Sequence, residues 1–309
     1  MVPALVVGNY TDVERHYHDS SSPYSLPNDA IEHDRLDTQA AAIVEMLGGG
    51  SPFLAPIRSM ASICKAVDVG CGTGIATVEM ARLFPAATVY GLDLSRVPAA
   101  VVERAPENVT WATGNVLEVD EHLEPTDDGG VDAIFAPDSL DYVFSRLLIL
   151  GLNNWPRYCK TAARALRSGG IIEIQDVDWP FHRVATSEQP SSKWEWHQQT
   201  VSAMDRVGMS TRAGSGAAAL LEAAGLEIVS VQTFEFSWVP APTAPRSRAL
   251  GRYLQDKFVP QFPALLRKML GREGIVGAEL ERLVKQALRD LSSEEGLYQI
   301  YTVTVARKP

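Results

Sequence analysis

The sequence, 309 residues long, predicts an α/β fold built on a mostly parallel sheet. Short apolar runs with strand character alternate with segments of helical periodicity, and a glycine-rich turn joins the first run to the helix after it. Alternation of this kind forms parallel sheets, because each helix carries the chain back to the same edge. Hydrophobic residues make up 46% of the chain, which is enough for one large core.

The first predicted helix runs from about Asn28 to Leu47. Asn28 or Asp29 can cap its first turn, and a run of three glycines ends it, since glycine readily adopts the left-handed conformation that closes helices. The polar residues before it, 1–27, carry turn signals. We expect residues 1–60 to form an N-terminal helical lid, and the polar tail to pack across the ligand site or onto a second subunit.

Five strand units follow the lid. The first strand, Lys65 to Val69, enters the glycine turn, and a helical pattern continues from there to Phe84. The turn at residues 168–170 leads into the fifth strand. The other four predicted strands are Thr88 to Leu92, Val109 to Ala112, Leu140 to Ser145 and Ile171 to Gln175.

The last part of the chain adds two strands and several helices. Residues from Lys193 to Val207 and from Ala217 to Ala224 have helical spacing, and Leu226 to Val239 reads as a long strand. Leu297 to Ala306 is the final strand, which we interpret as the antiparallel partner of the preceding one. We therefore expect a Rossmann-like domain, 61–239 plus 297–309, interrupted by a helical cap, 240–296.

The strongest motif in the sequence is the run from Val67 to Gly74, VDVGCGTG, at the first strand-to-helix junction. Glycines let the backbone approach a ligand closely. Asp93 ends the next strand, where a carboxylate can accept hydrogen bonds from both hydroxyls of a ribose. The pattern therefore predicts nucleoside recognition at the carboxyl ends of the strands, the alternative being a plain tight turn.

The glycine spacing separates two classes of nucleoside site. Dinucleotide folds use G-x-G-x-x-G to seat a pyrophosphate at the helix N-terminus. Here the third glycine, Gly74, comes one residue early and Ile75 follows it. The spacing disfavours a nicotinamide cofactor. After the third strand, Asn115 offers a donor and an acceptor that suit an adenine edge, unless it serves only as a loop residue.

Further segments sharpen the pattern into a family resemblance. Together with the glycine motif, they are similar to the LaeA-like methyltransferases of fungal secondary metabolism, which are class I enzymes dependent on S-adenosylmethionine (SAM). The resemblance runs nearly end to end and implies a seven-stranded class I methyltransferase fold whose last strand is antiparallel. The segments are Tyr24 to Asp29, Asp34 to Asp37, Pro137 to Tyr142, Trp155 and Pro156, Ser168 to Gly170, and Val305 to Pro309.

The resemblance also implies which residues hold SAM, with S-adenosylhomocysteine (SAH) as the product. Tyr24 and Arg35 would close over the cofactor, and Arg146 would face it. An acidic loop, Asp120 to Ala136, departs from the family pattern. The remaining implied contacts are Asp68 and Cys71 at the cofactor, Gly70, Gly72 and Gly74 along its methionine moiety, Asp93 and Leu94 at the ribose, and Asn115 and Val116 at the adenine.

Candidate catalytic residues follow the fifth strand, because acceptors meet the cofactor near the carboxyl ends of the strands. His182 is the first candidate for a general base, and Asp178 could orient it or a substrate amine. His197 shares a helix with Trp194 and is a further candidate. The alternative for His182 is an ordinary exposed histidine, and the alternative for Asp178 is a helix cap or a loop residue. For His197 the alternative is a place in the core or on the surface. Methyl transfer can also proceed without a base.

Two other groups of side chains have ordinary interpretations. Aromatic residues of the cap suit a hydrophobic, planar or polycyclic substrate, and they suit a plain core equally well. Histidines near the N-terminus have no metal-ligand spacing, so no metal is expected and we interpret them as structural or exposed. The aromatic residues are Trp238, Tyr253, Phe258 and Phe262, and the histidines are His16, His18 and His33.

The composition narrows the partners. A formal net charge of −10 disfavours nucleic acids and anionic membranes. The three cysteines have no paired spacing, which argues against a disulfide framework. We expect a cytoplasmic protein, since neither a signal peptide nor a stretch of about 20 apolar residues is present. A small molecule is the expected partner, and the sequence leaves open whether the chain forms a homodimer.

Three functions remain open at this stage. The first is a methyltransferase that acts on an oxygen or nitrogen atom of a small-molecule secondary metabolite. The second keeps SAM as a fixed positive charge and catalyses a cyclisation or pericyclic rearrangement. The third is a regulator of secondary metabolism that acts through protein partners, and the lack of a basic nuclear-targeting cluster counts mildly against it.

Overall fold

The computed structural model describes residues 30–57, 63–119, 130–186, 188–242, 244–292 and 296–309. Seven strands within these ranges form one sheet. Their bounds agree with the predicted strands to within a few residues, except at the fifth. The strands are β1 (Lys65–Val69), β2 (Thr88–Asp93), β3 (Val109–Thr113), β4 (Leu140–Arg146), β5 (Leu166–Arg183), β6 (Glu227–Ser237) and β7 (Leu297–Arg307).

The strand order is β3-β2-β1-β4-β5-β7-β6, which confirms the predicted class I methyltransferase topology. Strands β1 to β5 run parallel to one another, whereas β7 runs antiparallel to both β5 and β6. Strands β2 and β3 lie on one side of β1, and the chain then crosses to the other side, where β4 and β5 lie. This reversal opens a crevice at the carboxyl ends of β1 and β4, where α/β sheets bind their ligands.

Helices cover both faces of the sheet and form the cap. Helix α1 (Ala30–Met46) begins in the predicted lid, and the residues expected to cap it lie outside the described part of the chain, as does the tail before them. The other helices are α2 (Ile75–Leu83), α3 (Ala99–Val102), α4 (Val131–Ile134), α5 (Trp155–Ala165), α6 (Glu195–Arg206), α7 (Ala217–Ala223), α8 (Arg248–Tyr253), α9 (Phe262–Arg272) and α10 (Gly277–Ser292), with a π-helical turn at Leu254–Phe258.

The fifth strand is much longer than predicted. Strand β5 includes the expected turn at residues 168–170 and continues to Arg183, paired with β7 over most of its length. Its register shifts between Val177 and Phe181. Pro180 lies within this irregularity, where a residue without a backbone N–H is tolerated. The segment proposed to carry catalytic residues is therefore strand, and its side chains point alternately to opposite faces of the sheet.

A buried polar network attaches the segment after α1 to the sheet. The Glu173 carboxylate accepts hydrogen bonds from the backbone N–H groups of Leu54 (2.9 Å) and Ala55 (2.8 Å) and from the Tyr142 hydroxyl (2.8 Å). Gln175 donates to the Pro52 carbonyl at 2.6 Å. These bonds satisfy a carboxylate that is fully buried on β5, and they fix the path of the chain leaving α1.

A layer of aromatic rings lies between the extended part of β5 and the cap. Phe181 contacts Trp194, Trp196 and Trp238 at centroid distances of 5.1 to 6.0 Å. Phe262 of α9 packs edge-on against Trp196 at 5.5 Å. The cap helices therefore share one core with the sheet. In the described part of the chain, no helix combines the length and hydrophobicity that crossing a membrane requires.

Candidate cofactor and acceptor site

The glycine turn after β1 places backbone directly at the crevice. Gly70 and Gly72 have φ of 71° and 56°, in the left-handed region that favours glycine. The N–H groups of Gly70 and Cys71 both donate to the Leu92 carbonyl, at 2.8 and 3.1 Å. A Cβ atom on Gly70 would lie 2.3 Å from a methyl carbon of Leu148. Gly70, Cys71 and Gly72 all line the cavity, so the absence of side-chain bulk leaves room for a ligand.

Gly74, the third glycine of the motif, packs against the neighbouring strand β3, and its contact with the methionine moiety stays a prediction. It also has a left-handed φ of 82°, but a Cβ there would lie 2.5 Å from the indole of Trp111 on β3. Its neighbours Thr73 and Ile75 line the cavity, and Gly74 is not among the described lining residues. Gly74 therefore lets the start of α2 pack against β3.

Asp93 lies at the end of β2 and faces the cavity. One carboxylate oxygen accepts from the Gly72 N–H at 2.9 Å, and the other accepts from the Ser95 N–H at 3.0 Å. Each oxygen keeps a second lone pair, so the carboxylate can still accept from ribose hydroxyls. The two backbone bonds fix its orientation, and Leu94 lines the cavity beside it.

Asn115 follows β3 and lines the cavity together with Val116. Its side-chain oxygen accepts from the Leu117 N–H at 3.0 Å and so caps a short 3-10 helix, while its amide nitrogen lies 3.3 Å from Glu118. Both ends of the amide therefore have partners within the loop. Asn115 therefore has the loop role that the sequence offered as an alternative. It also lines the cavity, and its contact with adenine stays a prediction.

A buried carboxylate and a buried guanidinium face the cavity from β1 and β4. Asp68 is 2% exposed and accepts from the Thr77 hydroxyl at 2.7 Å. Burial raises its pKa to about 6. The Nη1 atom of Arg146 is buried without a hydrogen-bond partner among the described residues. An anion and a cation within electrostatic reach of each other suit a zwitterionic amino acid, as in the methionine end of SAM.

Helix α1 covers the cavity and contacts both of its ends. The Asp37 carboxylate accepts from the Thr73 hydroxyl at 2.6 Å, which links α1 to the glycine turn. Arg35 donates to Glu32 at 2.9 and 2.5 Å and to the Tyr253 hydroxyl, and its guanidinium lies 5.2 Å from the Phe258 ring centroid. Arg35 lines the cavity as expected, but its charged group is held toward the cap.

Two predicted features lie beyond the described residues. Tyr24, expected to close over the cofactor with Arg35, precedes the first described residue. The larger part of the acidic loop, residues 120–129, is outside the described ranges as well.

The loop after β4 forms another wall, from Leu147 to Leu152. Asp176 on β5 accepts from the Leu148 N–H at 2.7 Å, and Leu147 adopts a left-handed φ of 55°. Burial raises the pKa of Asp176 to about 8. Sequence reasoning did not assign this role to Asp176. An acidic residue that directly follows the apolar run of β5 was the available signal.

The three predicted catalytic residues lie outside the described cavity lining. Burial lowers the pKa of His182, which packs against Tyr298 of β7 at 5.5 Å. Asp178 accepts from the backbone N–H and hydroxyl of Ser215, at 2.9 and 2.6 Å. Because Val177 and Trp179 face the cavity, alternation places Asp178 and His182 on the opposite side of β5. Their predicted catalytic roles are therefore not supported by their positions.

His197 lies one layer behind the cavity. Its ring stacks on Trp179 at 6.3 Å, and its Nε2 atom lies 3.2 Å from the Trp179 carbonyl oxygen. Burial lowers its pKa to about 4, so the ring is neutral at physiological pH. Its contacts support Trp179 and leave no direct access to an acceptor. His33 of α1, interpreted from the sequence as structural or exposed, lines the cavity instead.

The far end of the cavity is an aromatic wall. Gln299 of β7 connects two of its members, because its side-chain oxygen accepts from the Trp238 indole at 2.8 Å and its nitrogen donates to the Trp179 carbonyl at 2.8 Å. Tyr253 and Phe262, for which the sequence left open a substrate contact or a core position, are buried in the core. We define the aromatic wall as Trp179, Phe236, Trp238, Leu254 and Phe258.

Comparisons with known proteins agree on the type of domain. A family model described as a methyltransferase domain matches residues 40–231. Methyltransferase pytC of Aspergillus terreus is 26% identical over 298 residues, which cover 95% of this chain and 85% of pytC. Secondary metabolism regulator LAE1 of Cochliobolus heterostrophus strain C5 is 25% identical over 310 residues, which cover 97% of this chain and 95% of LAE1.

Solved structures align with this chain at lower similarity. The crystal structure of the [4+2]-cyclase SpnF is 18% identical to this chain, with a TM-score of 0.45, and the alignment covers 96% of this chain and 87% of SpnF. The matched family range, 40–231, contains the glycine turn, Asp93, Asn115 and Arg146. The cap lies outside it.

Proposed function

This chain belongs to the methyltransferase-domain family and is a SAM-dependent methyltransferase, and on that premise we propose that it methylates an oxygen or nitrogen atom of a small, hydrophobic secondary metabolite. The observation that carries the proposal is the continuity of the cavity. One cavity runs from the glycine turn and Asp93 to the aromatic wall, so a cofactor at one end and an apolar acceptor at the other would lie in the same enclosed space.

The residues at the strand ends fit the cofactor. Asp68 can accept from the ammonium group of its methionine moiety, and the unpartnered Nη1 of Arg146 can donate to the carboxylate. Asp93 has lone pairs left for the ribose hydroxyls. When bound, SAM supplies an electrophilic methyl group on a positively charged sulfur.

The chain's main contribution to the reaction is positioning. Holding the acceptor and the methyl donor together replaces a bimolecular encounter with a unimolecular step, which can supply about 7–11 kcal/mol of the barrier reduction. Helix α1 and the loop after β4 line the cavity and would limit the access of water to it, and the aromatic wall would orient the acceptor. A hydroxyl acceptor must also lose a proton, and His33 is the histidine of the described lining that can take it.

The pattern of relatives supports a secondary metabolite as acceptor. Methyltransferase pytC and the regulator LAE1 are both fungal and similar to this chain along nearly its whole length. We propose that residues 240–296 select the acceptor, because two members of the aromatic wall, Leu254 and Phe258, come from this region.

The test is an incubation of the purified protein with SAM and a metabolite extract from its source, followed by mass spectrometry. A product heavier by one CH₂ group, together with SAH, would support the proposal and identify the acceptor. An isomeric product formed without SAH would indicate a cyclisation or rearrangement. No product, combined with a stable protein complex in a pull-down, would favour a regulator such as LAE1.

A further inference from the structure

We propose that Gln299 of β7 determines which acceptors bind, by donating a hydrogen bond to a carbonyl oxygen of the acceptor. The acceptor would then be a planar molecule with two polar groups, a hydroxyl or amine that receives the methyl group and a carbonyl held at the aromatic wall. The inference rests on the proposed function, since it names the class of acceptor. Its evidence comes from the contacts around the wall and is independent of the cofactor end.

The contacts of Gln299 fix the orientation of its side-chain amide. The Trp238 indole N–H can only donate, and it donates to Oε1 at 2.8 Å. The Trp179 backbone carbonyl can only accept, and it accepts from Nε2 at 2.8 Å. Exchanging the amide oxygen and nitrogen would place donor against donor and acceptor against acceptor. The oxygen of the amide therefore faces the Trp238 indole, and its nitrogen faces the backbone of Trp179.

These two bonds leave part of the amide unused. Nε2 carries two N–H groups, and one of them donates to Trp179. The second has no acceptor among the described residues, although Gln299 is 2% exposed and lines the cavity. A buried N–H without an acceptor is tolerated less readily than an oxygen that already accepts one bond. The second N–H is therefore the group of this amide that a ligand would satisfy.

Aromatic side chains surround the amide. In the sheet, Gln299 lies between Phe181 on β5 and Phe236 on β6. Phe181 packs against Trp238 at a centroid distance of 5.1 Å, and Trp238 packs against Phe258 at 5.6 Å. Rings in this arrangement offer flat, apolar surface, which favours a planar, apolar body in the ligand.

The indole donors of the aromatic wall are already bonded. The Trp179 indole N–H donates to the Thr200 hydroxyl at 2.9 Å, and the Trp238 indole N–H donates to Gln299. The other members of the wall have apolar side chains. At the wall itself, a ligand can therefore bind the second N–H of Gln299. A carbonyl oxygen would satisfy this donor, whereas a hydrocarbon of the same shape would leave it buried without a partner.

The test compares two probes of the same shape, 2-acetylnaphthalene and 2-isopropenylnaphthalene, which differ in a carbonyl oxygen and a CH₂ group. Equilibrium dialysis measures the affinity of each probe for the SAH-saturated protein. The ratio of the two affinities is then compared between variants, so that the different hydration of the free probes cancels. Gln299→Met should lower the preference for the carbonyl probe by about 3- to 10-fold, the effect of one neutral hydrogen bond.

The matched control is Gln255→Met, the same change of side chain at a residue that also supports Trp238. Gln255 donates to the backbone carbonyls of Trp238 and Leu291, both at 2.8 Å, but it lies outside the described cavity lining. If Gln299 only held the tryptophan in place, each variant would weaken the binding of both probes alike. A hydrogen bond to the ligand changes the ratio in Gln299→Met alone.

A second pair of variants guards against misfolding, because Gln299→Met leaves the Trp238 indole N–H without its acceptor. Trp238→Phe removes that N–H, and adding Gln299→Met to it should lower the ratio by the same factor. SAH affinity, measured on the same samples, shows whether each variant retains a folded cofactor site.

The wild type provides a direct reading of the hydrogen bond. The infrared carbonyl stretch of bound 2-acetylnaphthalene, labelled with ¹³C at the carbonyl, should lie at lower frequency than in heptane, because a donated hydrogen bond weakens the C=O bond. In Gln299→Met it should move back toward the heptane value.

Several results would overturn the inference. They are an unchanged ratio in Gln299→Met, an equal fall in Gln255→Met, a carbonyl stretch in the wild type equal to that in heptane, or binding of neither probe. A methylated product without a carbonyl group would also overturn it and leave the proposed function intact. Failure of the proposed function has a different signature, namely probe binding that depends on Gln299 without any methylated product in the extract assay.

Discussion

Arg146 at the end of β4 lies within electrostatic reach of Asp68 on the adjacent strand β1, and both residues line the cavity. Asp68 is bound by Thr77, whereas the Nη1 of Arg146 is buried without a hydrogen-bond partner among the described residues. A buried donor of this kind is available to bind a negatively charged ligand group. The arrangement explains how the crevice can recognise both charges of an amino acid moiety.

Arg146→Met should weaken binding of SAH by roughly 10- to 100-fold, because one hydrogen bond to a charged group contributes about 1.5–3 kcal/mol. Titration calorimetry measures the change. Arg104→Met, an equal charge change at an exposed position after α3, should leave the affinity unaltered. Equal affinities in all three proteins would remove Arg146 from the cofactor site.

Binding of SAH should weaken as the pH falls below about 6. Burial raises the pKa of Asp68 to about 6, so the carboxylate that attracts the ligand's ammonium group becomes protonated in this range. The affinity should fall by up to about tenfold per pH unit below that value. Asp68→Asn should bind more weakly at neutral pH and lose this dependence. An unchanged pH profile in Asp68→Asn would contradict the assignment.

Gly70→Ala should reduce the affinity for SAH about tenfold, because the new Cβ displaces Leu148, which lines the cavity. The matched control is Gly169→Ala, which has the same left-handed strain, with φ of 78°, in open space. Both variants should lose about 1–2 kcal/mol of unfolding free energy in urea titrations. If both also lost SAH affinity equally, the clash with Leu148 would not be the cause.

Protonated Asp176 should stabilise the folded protein, and this stabilisation should be lost as the pH rises. Burial raises the pKa of this group to about 8 in the folded protein, from an ordinary value of 3.8. The folded state holds the proton in this window while the unfolded state releases it, so the free energy of unfolding falls as the pH increases. Asp176→Asn should show a smaller difference between urea titrations near pH 5 and pH 8. An identical difference would show that Asp176 does not titrate this way.

His33→Asn should lower kcat by about 10²- to 10⁴-fold if the acceptor is a hydroxyl, as expected for the loss of a general base. His182→Asn is the control, because His182 lies outside the described cavity lining. The His182→Asn variant should keep the wild-type kcat. Loss of activity in His182→Asn alone would restore the role predicted for it from the sequence.

Local sequence patterns were sufficient to predict the sheet, and the glycine turn and Asp93 that they indicated line the cavity. Gly70 and Asp93 each follow an apolar strand, and parallel strands bring their carboxyl ends together wherever the helices pack. The resemblance placed Arg146 at the cavity as well. These predictions depend on spacing along the chain, which the sequence states directly.

Other features depend on contacts that the sequence does not reveal. Gly74 packs against Trp111 because β3 lies beside β2, and Arg35 is held by Tyr253, a residue far along the chain. The fifth strand was predicted to end at Gln175, before His182, whereas β7 pairs with β5 as far as Arg183. Had β5 been recognised as continuous, its alternation would have placed His182 on the face opposite Trp179.

The central claim is that this cavity transfers a methyl group from SAM to a small acceptor, and the most direct measurement uses SAM labelled with ¹³C in its methyl group. The purified wild type and Arg146→Met are each incubated with the source extract. The account predicts a wild-type product that carries one labelled methyl group, equimolar SAH, and much less of both with the variant. A wild type that binds SAM but yields no labelled product and no SAH would contradict it.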